Sequence, residues 1–262
     1  MSGHTYNARH EQAISSTVRI TGRSKHTVLN LLVDIGEACA EYHDANVRGL
    51  SCNEVQVDEI WGFCYCKEKN VPIPLQGKDG LGDVWTWVAV EAKTKLIISY
   101  LVGKRTPECA HDFIFDLASR IDTRIQLTSD GLPAIRAAFG DNIDYAQLIK
   151  EYGVDRLAEA RHSPSIVLSV EVKPRIGQPN EEAICTSFIE RQNLTMRMGM
   201  RRLTRLTNGF SKKFENMVHA VALNFTYYNF ARIHQTLRVT PAMEQGIADH
   251  VWEVEELVSL LV

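Results

Sequence analysis

Apolar residues recur along this chain in two different periods, and the period changes near residue 55. Over the first fifty residues the spacing is helical, and Ser24 is of a type that favours helix N-termini. A shorter helical segment at 17–20 precedes Ser24, and Gly22 lies in the break between the two. The apolar positions of the second segment are Val28, Leu31, Leu32 and Ile35. Helix, turn and helix is the order of a helix-turn-helix, so we predict a small DNA-binding segment over residues 1–50.

From residue 55 the apolar positions form short runs that are typical of β-strands. The predicted strands lie at 55–63, 83–90, 96–102 and 124–128, and the predicted helices at 107–121 and 211–232. Residues 140–179 are predicted to be an irregular insert with one strand at 166–172, followed by a helix that runs through Glu190. Three antiparallel strands, a helix and a fourth strand predict an α/β domain over residues 51–262.

Composition narrows the class of protein. The chain has 262 residues, 45% of them hydrophobic, with a formal net charge of −3. It contains no run of about eighteen apolar residues and no apolar signal segment at its start, so neither a membrane span nor secretion is expected. Six scattered cysteines without a CxxC pair fit reduced thiols in a cytoplasmic protein and offer no zinc-ligand spacing.

One stretch is strongly basic in this slightly acidic chain. Residues 191–213 contain seven basic side chains and no Asp or Glu, namely Arg191, Arg197, Arg201, Arg202, Arg205, Lys212 and Lys213. They could form a solvated helix face, or a surface that binds DNA phosphates. On the second N-terminal helix, Lys25, His26 and Asn30 lie on the polar side, where such side chains can reach base edges or phosphates.

Three acidic residues occupy positions from which they could form a shared metal site. Asp58 interrupts an apolar strand, Asp130 follows the fourth strand, and Glu190 lies on a later helix. If they converge, their mutual repulsion requires divalent cations, and Mg²⁺ prefers such all-oxygen ligands. If they do not, they are an edge charge, a turn residue and a surface residue. Glu190 shares a helical face with Asn193, Leu194 and Arg197, a combination suited to a metal site beside a phosphate backbone.

Several segments together resemble one known family. They include VQVDEIWGF (55–63), GDVWTWVAVEAKTKL (82–96), LTSDG (127–131), the ERQN segment (190–193) and YYNFARIHQTLRVTPAM (227–243). The chain resembles the transposases of the bacterial insertion sequence one family, which carry a DDE catalytic core on a ribonuclease-H-like fold. The likeness runs from about residue 18 to near the C-terminus.

The resemblance implies a fold, a cofactor and a substrate. It implies a ribonuclease-H-like mixed sheet with flanking helices, and Asp58, Asp130 and Glu190 as both the catalytic triad and the ligands of two Mg²⁺ ions, for which Mn²⁺ can substitute. It further implies DNA cleavage and strand transfer on transposon terminal repeats and target DNA, by a homodimer or larger synaptic complex in the bacterial cytoplasm, at the nucleoid when bound to DNA.

The sequence departs from that family in places and leaves other functions open. Residues 1–12 are polar, so the first helix of the DNA-binding segment is expected to be incomplete. Leu132 and Glu91 stand where relatives have other residues, often His and usually Asp respectively. The alternatives are a ribonuclease-H-like nuclease that cuts without joining, and an inactive transposase-derived regulator that binds DNA. The absence of a glycine-rich phosphate loop or nucleophile elbow argues against a metabolic enzyme.

Overall fold

A computed structural model describes residues 14–78, 80–132, 134–153, 166–204 and 208–261. The strands are β1 (Glu54–Cys64), β2 (Gly82–Glu91), β3 (Ile97–Gly103), β4 (Ile125–Ser129), β5 (Ile143–Gly153) and β6 (Ile166–Ile176). They form one six-stranded sheet in the order β3-β2-β1-β4-β5-β6. Strands β1, β4 and β5 run parallel, while β2 is antiparallel to β1 and β3, and β6 is antiparallel to β5. The predicted α/β class, with a mixed sheet and flanking helices, is confirmed.

Helices cover both faces of this sheet. They are α1 (Ile14–Thr21), α2 (Lys25–Asn46), α3 (Pro107–Ser119), α4 (Ile135–Phe139), α5 (Ser187–Gly199), α6 (Phe214–Thr226), α7 (Pro241–Gln245) and α8 (Val254–Ser259). Within the described parts of the chain, none of them is both long and apolar enough to cross a membrane.

Alternation along the central strands divides the core into two layers. Val55 and Val57 of β1 point to one face, where they join the cluster built on Phe113 and Leu117 of α3. Ile60 of β1 points to the opposite face, where a second cluster includes side chains of α5 and α6. Successive side chains of a strand point to opposite faces of the sheet, so each face of β1 requires its own helical cover.

Strand β5 corrects the sequence prediction of an irregular insert. Residues 143–153 form a strand whose first five residues pair with β4, and together with β6 they extend the sheet. The strand is not apparent in the sequence because polar side chains interrupt its apolar alternation. Two of them bind an arginine from another segment, since Asp144 pairs with Arg124 at 2.8 Å, and Gln147 accepts a hydrogen bond from Arg175 at 2.8 Å.

Helix α2 begins after Ser24 as predicted, whereas α1 begins at Ile14, three residues before the predicted segment, and has no buried residue. Ser24 caps α2 by accepting a hydrogen bond from the Thr27 amide at 3.1 Å. One face of the second half of α2 is buried, at Gly36, Cys39 and His43, and the helix packs along α6 on this side. Residues 1–13 of the predicted helix-turn-helix segment lie outside the described residues, and DNA binding by α1 and α2 stays a prediction.

A buried amide ties the end of the last long helix to the sheet. Asn229, which is inaccessible to solvent, donates from Nδ2 to the Ile97 carbonyl at 2.9 Å and accepts from the Ile97 amide at 3.0 Å. His43 of α2 also contacts the Ile97 carbonyl, with Nε2 at 3.1 Å. Asn229 thereby continues the hydrogen-bonding pattern of edge strand β3, and its position gives it a structural role.

Close packing of α2 on α6 generates a stability prediction. A Cβ atom added at Gly36 would lie 2.5 Å from the His219 carbonyl oxygen and 2.7 Å from its Cα, so a helix must move. We expect Gly36→Ala to lower the free energy of unfolding by about 1–3 kcal/mol, although alanine is the better helix former. Urea unfolding measures the effect. Glu37→Ala, on the exposed side of the same turn, is the control and should stay within about 0.5 kcal/mol of wild type; a Gly36→Ala protein as stable as wild type would contradict the packing argument.

Candidate metal centre

Three carboxylates meet at the point where strand β4 ends. One oxygen from each of Asp58, Glu59 and Asp130 lies within 4.8 Å of the other two, which is close enough for all three to hold one metal ion. As whole residues Asp58 and Glu59 are partly buried, although the side chain of Glu59 is almost fully enclosed, whereas Asp130 is exposed. Strand β4 pairs with β1 only from Glu54 to Gln56, so the next residues of β1 extend beyond it into the opening. Two of the three sequence-predicted acids are therefore brought together, with an additional acid beside them.

Asp58 is held by two hydrogen bonds. Its Oδ1 accepts from the Glu59 amide at 2.8 Å, and its Oδ2 accepts from Nδ2 of Asn193 at 2.7 Å. Asn193 comes from α5, which packs across β1 on the same face. The Oδ1 atom of Asn193 is buried without a hydrogen-bond partner among the described residues.

Asp130 sits in a turn that only glycine completes. Gly131 has a φ of 137°, and a Cβ there would lie 2.4 Å from Nε2 of Gln147. That same Nε2 donates to the Asp130 carbonyl at 2.9 Å. Ser129, inside the end of β4, accepts from the Gly131 amide at 3.2 Å and shares a hydrogen bond of 2.8 Å with the Tyr145 hydroxyl. The SDG tripeptide thus fixes the direction in which the chain leaves the sheet.

Glu59 is the member of the cluster that sequence reasoning missed. Its side chain is 4% exposed, and Oε1 is paired with Arg105 at 2.5 Å. The other oxygen, Oε2, is buried without a hydrogen-bond partner among the described residues. A buried carboxylate oxygen left without a donor is costly unless a cation is near. Two consecutive acids in an otherwise apolar strand were the available signal, because alternation must turn one of them to each face.

Glu190 lies beside this cluster rather than within it. Its Oε1 accepts from the Thr186 hydroxyl at 2.7 Å and is also paired with Lys150 of β5. Its position on α5 is one helical turn before Asn193, which touches Asp58, and residues three apart on a helix are neighbours. The charge of Glu190 contributes to raising the pKa of Asp58. The structure therefore brings Glu190 near Asp58, with the Glu190 carboxylate paired with Lys150.

A buried glutamine determines where α5 begins. Gln56, two residues before Asp58 and on the same face of β1, accepts from the Phe188 and Ile189 amides with Oε1 at 3.0 Å. These are first-turn amides, which have no partner within the helix. The contact sets the helix against the strand and so fixes the distance between Glu190 and Asp58. Sequence reasoning missed Gln56 as well; a lone polar residue among the valines of β1 was its signal.

The electrostatics of the cluster favour a bound cation. Burial, together with the charges of Asp130, Glu59 and Glu190, raises the pKa of Asp58 to about 7, opposed by the hydrogen bond from the Glu59 amide. Burial and the Asp130 charge also raise the pKa of Glu59, while Arg105 opposes the shift. A set made only of carboxylate oxygens suits a hard divalent ion, and the Oε2 atom of Glu59 lacks the donor that such an ion would replace. The residues present therefore fit a metal ion.

The predicted DNA-binding side chains divide into exposed and structural groups. Those exposed to solvent are Lys25, His26, Asn30, Arg191, Arg201, Lys212 and Lys213. Arg197 donates to the Leu203 carbonyl at 3.2 Å, and Arg202 is buried and donates to the Ser211 hydroxyl at 2.9 Å. Asn193 is occupied by Asp58, and Arg205 lies outside the described residues. Because α5 ends at Gly199 and a short 3₁₀ turn follows, the basic stretch does not form one helical stripe.

Comparison of the chain with protein-family models and with curated protein sequences found no match.

Burial of Asp58, together with the carboxylates around it, predicts an effect on stability. The folded-state pKa of about 7 exceeds the value of 3.8 for an unperturbed Asp, so the folded state binds the extra proton between these values. The contribution of protonated Asp58 to the free energy of unfolding is therefore fully present below about pH 4 and is lost as the pH rises to 7. We expect Asp58→Asn to raise the free energy of unfolding of the metal-free protein by about 1–3 kcal/mol at pH 8, with the gain vanishing near pH 4.

Urea unfolding in a chelator at both pH values measures this difference. Asp112→Asn, at an exposed position on α3, is the matched control and should show no pH-dependent gain. An Asp58→Asn protein less stable than wild type at pH 8 would show that burial and the neighbouring charges do not destabilise the ionised carboxylate.

Proposed function

We propose that this protein is a DDE-type DNA transposase that cleaves transposon ends and joins them to target DNA. The observation that carries the proposal is the meeting of Asp58 and Asp130, which lie 72 positions apart in the chain, at one point of the sheet within ligand distance of a shared cation. The helix that bears Glu190 packs against the same strand and contacts Asp58 through Asn193. This is the arrangement that the resemblance to insertion sequence one transposases implies.

The architecture supports a ribonuclease-H-like domain. Three antiparallel strands, a helix and a parallel fourth strand follow one another in the chain, with the candidate acids on the first strand and after the fourth. Groups beyond the carboxyl ends of parallel strands are favoured places for active sites in α/β sheets. The β5–β6 hairpin then extends the sheet on the side of Lys150 and Glu190.

Mg²⁺ is the cation proposed here, two ions in number, with Mn²⁺ as a substitute. Asp58 and Asp130 would hold the ions beside Oε2 of Glu59, and Glu190 would complete the ligand set. When bound, such ions lower the pKa of water or of a 3′-hydroxyl and stabilise the leaving oxygen. Glu190 becomes available when Lys150 exchanges this carboxylate for a DNA phosphate, a group that lysine also binds.

Other side chains of the site orient these acids. Asn193 holds the Asp58 carboxylate in place by its hydrogen bond, and Arg105 neutralises one oxygen of Glu59. The exposed basic residues after Glu190 would bind the DNA backbone, with the strong salt dependence of phosphate contacts. Two transposon ends must be held together, so we propose that a homodimer or larger assembly acts on DNA.

Strand transfer tests the proposed activity. The substrate is a pre-cut duplex carrying the inverted repeats that flank the gene, incubated with supercoiled plasmid and Mg²⁺. We expect joined products with wild type, and losses of at least about 100-fold with Asp58→Asn, Asp130→Asn or Glu190→Gln, because each removes a charge from the ligand set. Asp112→Asn should remain active, and a chelator should abolish joining.

The possible outcomes separate the alternatives. Plasmid nicking without joining would identify a nuclease that does not transfer strands. Binding of the repeats without any cleavage would identify an inactive regulator. Equal joining by wild type and Asp130→Asn would remove the proposed catalytic role of the acid cluster.

A further inference from the structure

A row of aromatic rings continues the strand face that carries Glu59. Glu59 faces Trp87 across the β1–β2 pair, and the next pair on that face is Trp61 with Trp85. Two residues of a strand cover about 7 Å, so Trp61 lies close to the acid cluster. Trp87 is buried in the core, whereas Trp61 and Trp85 are half-exposed.

Two phenylalanines extend this row to the end of β1. The Phe63 ring centroid lies 5.7 Å from that of Trp61 and 4.8 Å from that of Phe210. Phe210 belongs to the segment before α6 that bridges to Cys64 at the next position, Ser211. We call Trp61, Phe63, Trp85 and Phe210 the aromatic platform; all four rings are partly accessible to solvent.

Cations from three different segments lie over the rings of this platform. Lys67 Nζ is 5.6 Å from the Trp61 ring centroid, Lys212 Nζ is 3.1 Å from that of Phe210, and Arg105 Cζ is 5.0 Å from that of Trp85. All three cations are exposed. Arg105 also binds Glu59, and thus links the platform directly to the acid cluster.

A cleft of about 520 Å³ lies beside Trp61. Lys67, Lys69 and Gln76 line it together with Glu68 and Asp83. The two acids are occupied, since Glu68 accepts from Lys104 at 3.1 Å and from the Asp83 amide at 3.0 Å, and Asp83 accepts from the Glu68 amide at 3.0 Å. The lysines therefore set the charge that this cleft presents to a ligand.

We propose that the aromatic platform binds unpaired DNA, with bases stacked on its rings and phosphates paired with its cations. The inference rests on the proposed function, because the strand that it would hold is the one leaving the cleaved transposon end. Rings with cations above them suit single strands, whose bases expose their faces, whereas the bases inside a duplex are already stacked on one another. The lysines are long and exposed, so their ammonium groups can move from the rings to phosphates as bases enter.

Binding of a labelled oligo(dT) of roughly 16 nucleotides tests this platform by fluorescence anisotropy. The experiment uses the Asp130→Asn protein in a chelator, so that neither metal nor cleavage is needed. We expect Trp61→Leu to weaken single-strand binding about tenfold and Trp61→Phe, which keeps a ring, to retain most of it. Phe115→Leu, an exposed aromatic on α3, is the matched control and should bind like the parent.

Duplex DNA of the same length is the second arm of this experiment. The affinity of the protein for this duplex should change little when Trp61 is replaced by Leu. Equal single-strand binding by the parent and Trp61→Leu, or an equal loss for duplex and single strand, would overturn the proposal. If Trp61→Leu does not fold, as thermal unfolding would reveal, Phe210→Leu and Lys212→Met replace it with the same expected loss.

Failure of this proposal is distinguishable from failure of the proposed function. If the protein joins no DNA but binds oligo(dT) through Trp61, the proposed platform stands and the proposed transposase activity fails. If Trp61→Leu transfers strands and binds oligo(dT) as well as the protein with Trp61 does, the proposed transposase activity stands and the proposed platform fails.

Discussion

Like charges brought together at the end of strand β4 impose the constraint on which the site depends. Three carboxylates within 4.8 Å of one another repel, and the protein relieves that repulsion only in part. Arg105 neutralises one oxygen of Glu59, while burial and the neighbouring charges raise the pKa of Asp58 to about 7. Repulsion between unpaired acidic side chains is characteristic of functional sites, here one that binds a cation. At a purely structural position the side chains would be apolar or paired with opposite charges.

The surrounding fold is arranged to hold these acids together. Gln56 anchors the first turn of α5 against β1, and Asn193 of the same helix binds Asp58. On the other side, Gly131 and Gln147 fix the turn that presents Asp130. Behind these contacts, the packing of α2 on α6 and the pairing of Asn229 with Ile97 hold the helical layer against the sheet. Rigid elements therefore position each acid, which is what a geometrically demanding reaction requires.

Much of the fold could be predicted where one local pattern dominates. The hairpin β2–β3 was predicted within one residue at each end, because its apolar runs flank a clear turn. Helix α3 was recognised from its amphipathic spacing, and it begins at Pro107 as predicted. Strand β5 was missed because its polar side chains have partners in other segments, such as Arg124 for Asp144. Such contacts join residues far apart in the chain, so no local window of sequence contains them.

The sequence by itself determined many of the elements and the candidate chemistry: the acids at 58, 130 and 190, the basic residues after them, and the capping serine of α2. These follow from short-range physics, namely residue type, periodicity and turn chemistry. Only the tertiary structure decided which acids meet. It placed Glu59 with Asp58 and Asp130, paired Glu190 with Lys150, buried Arg202, and left Trp61 accessible while it buried Trp87. The reason is that proximity and burial depend on how strands pair and helices pack, and these are properties of the whole chain.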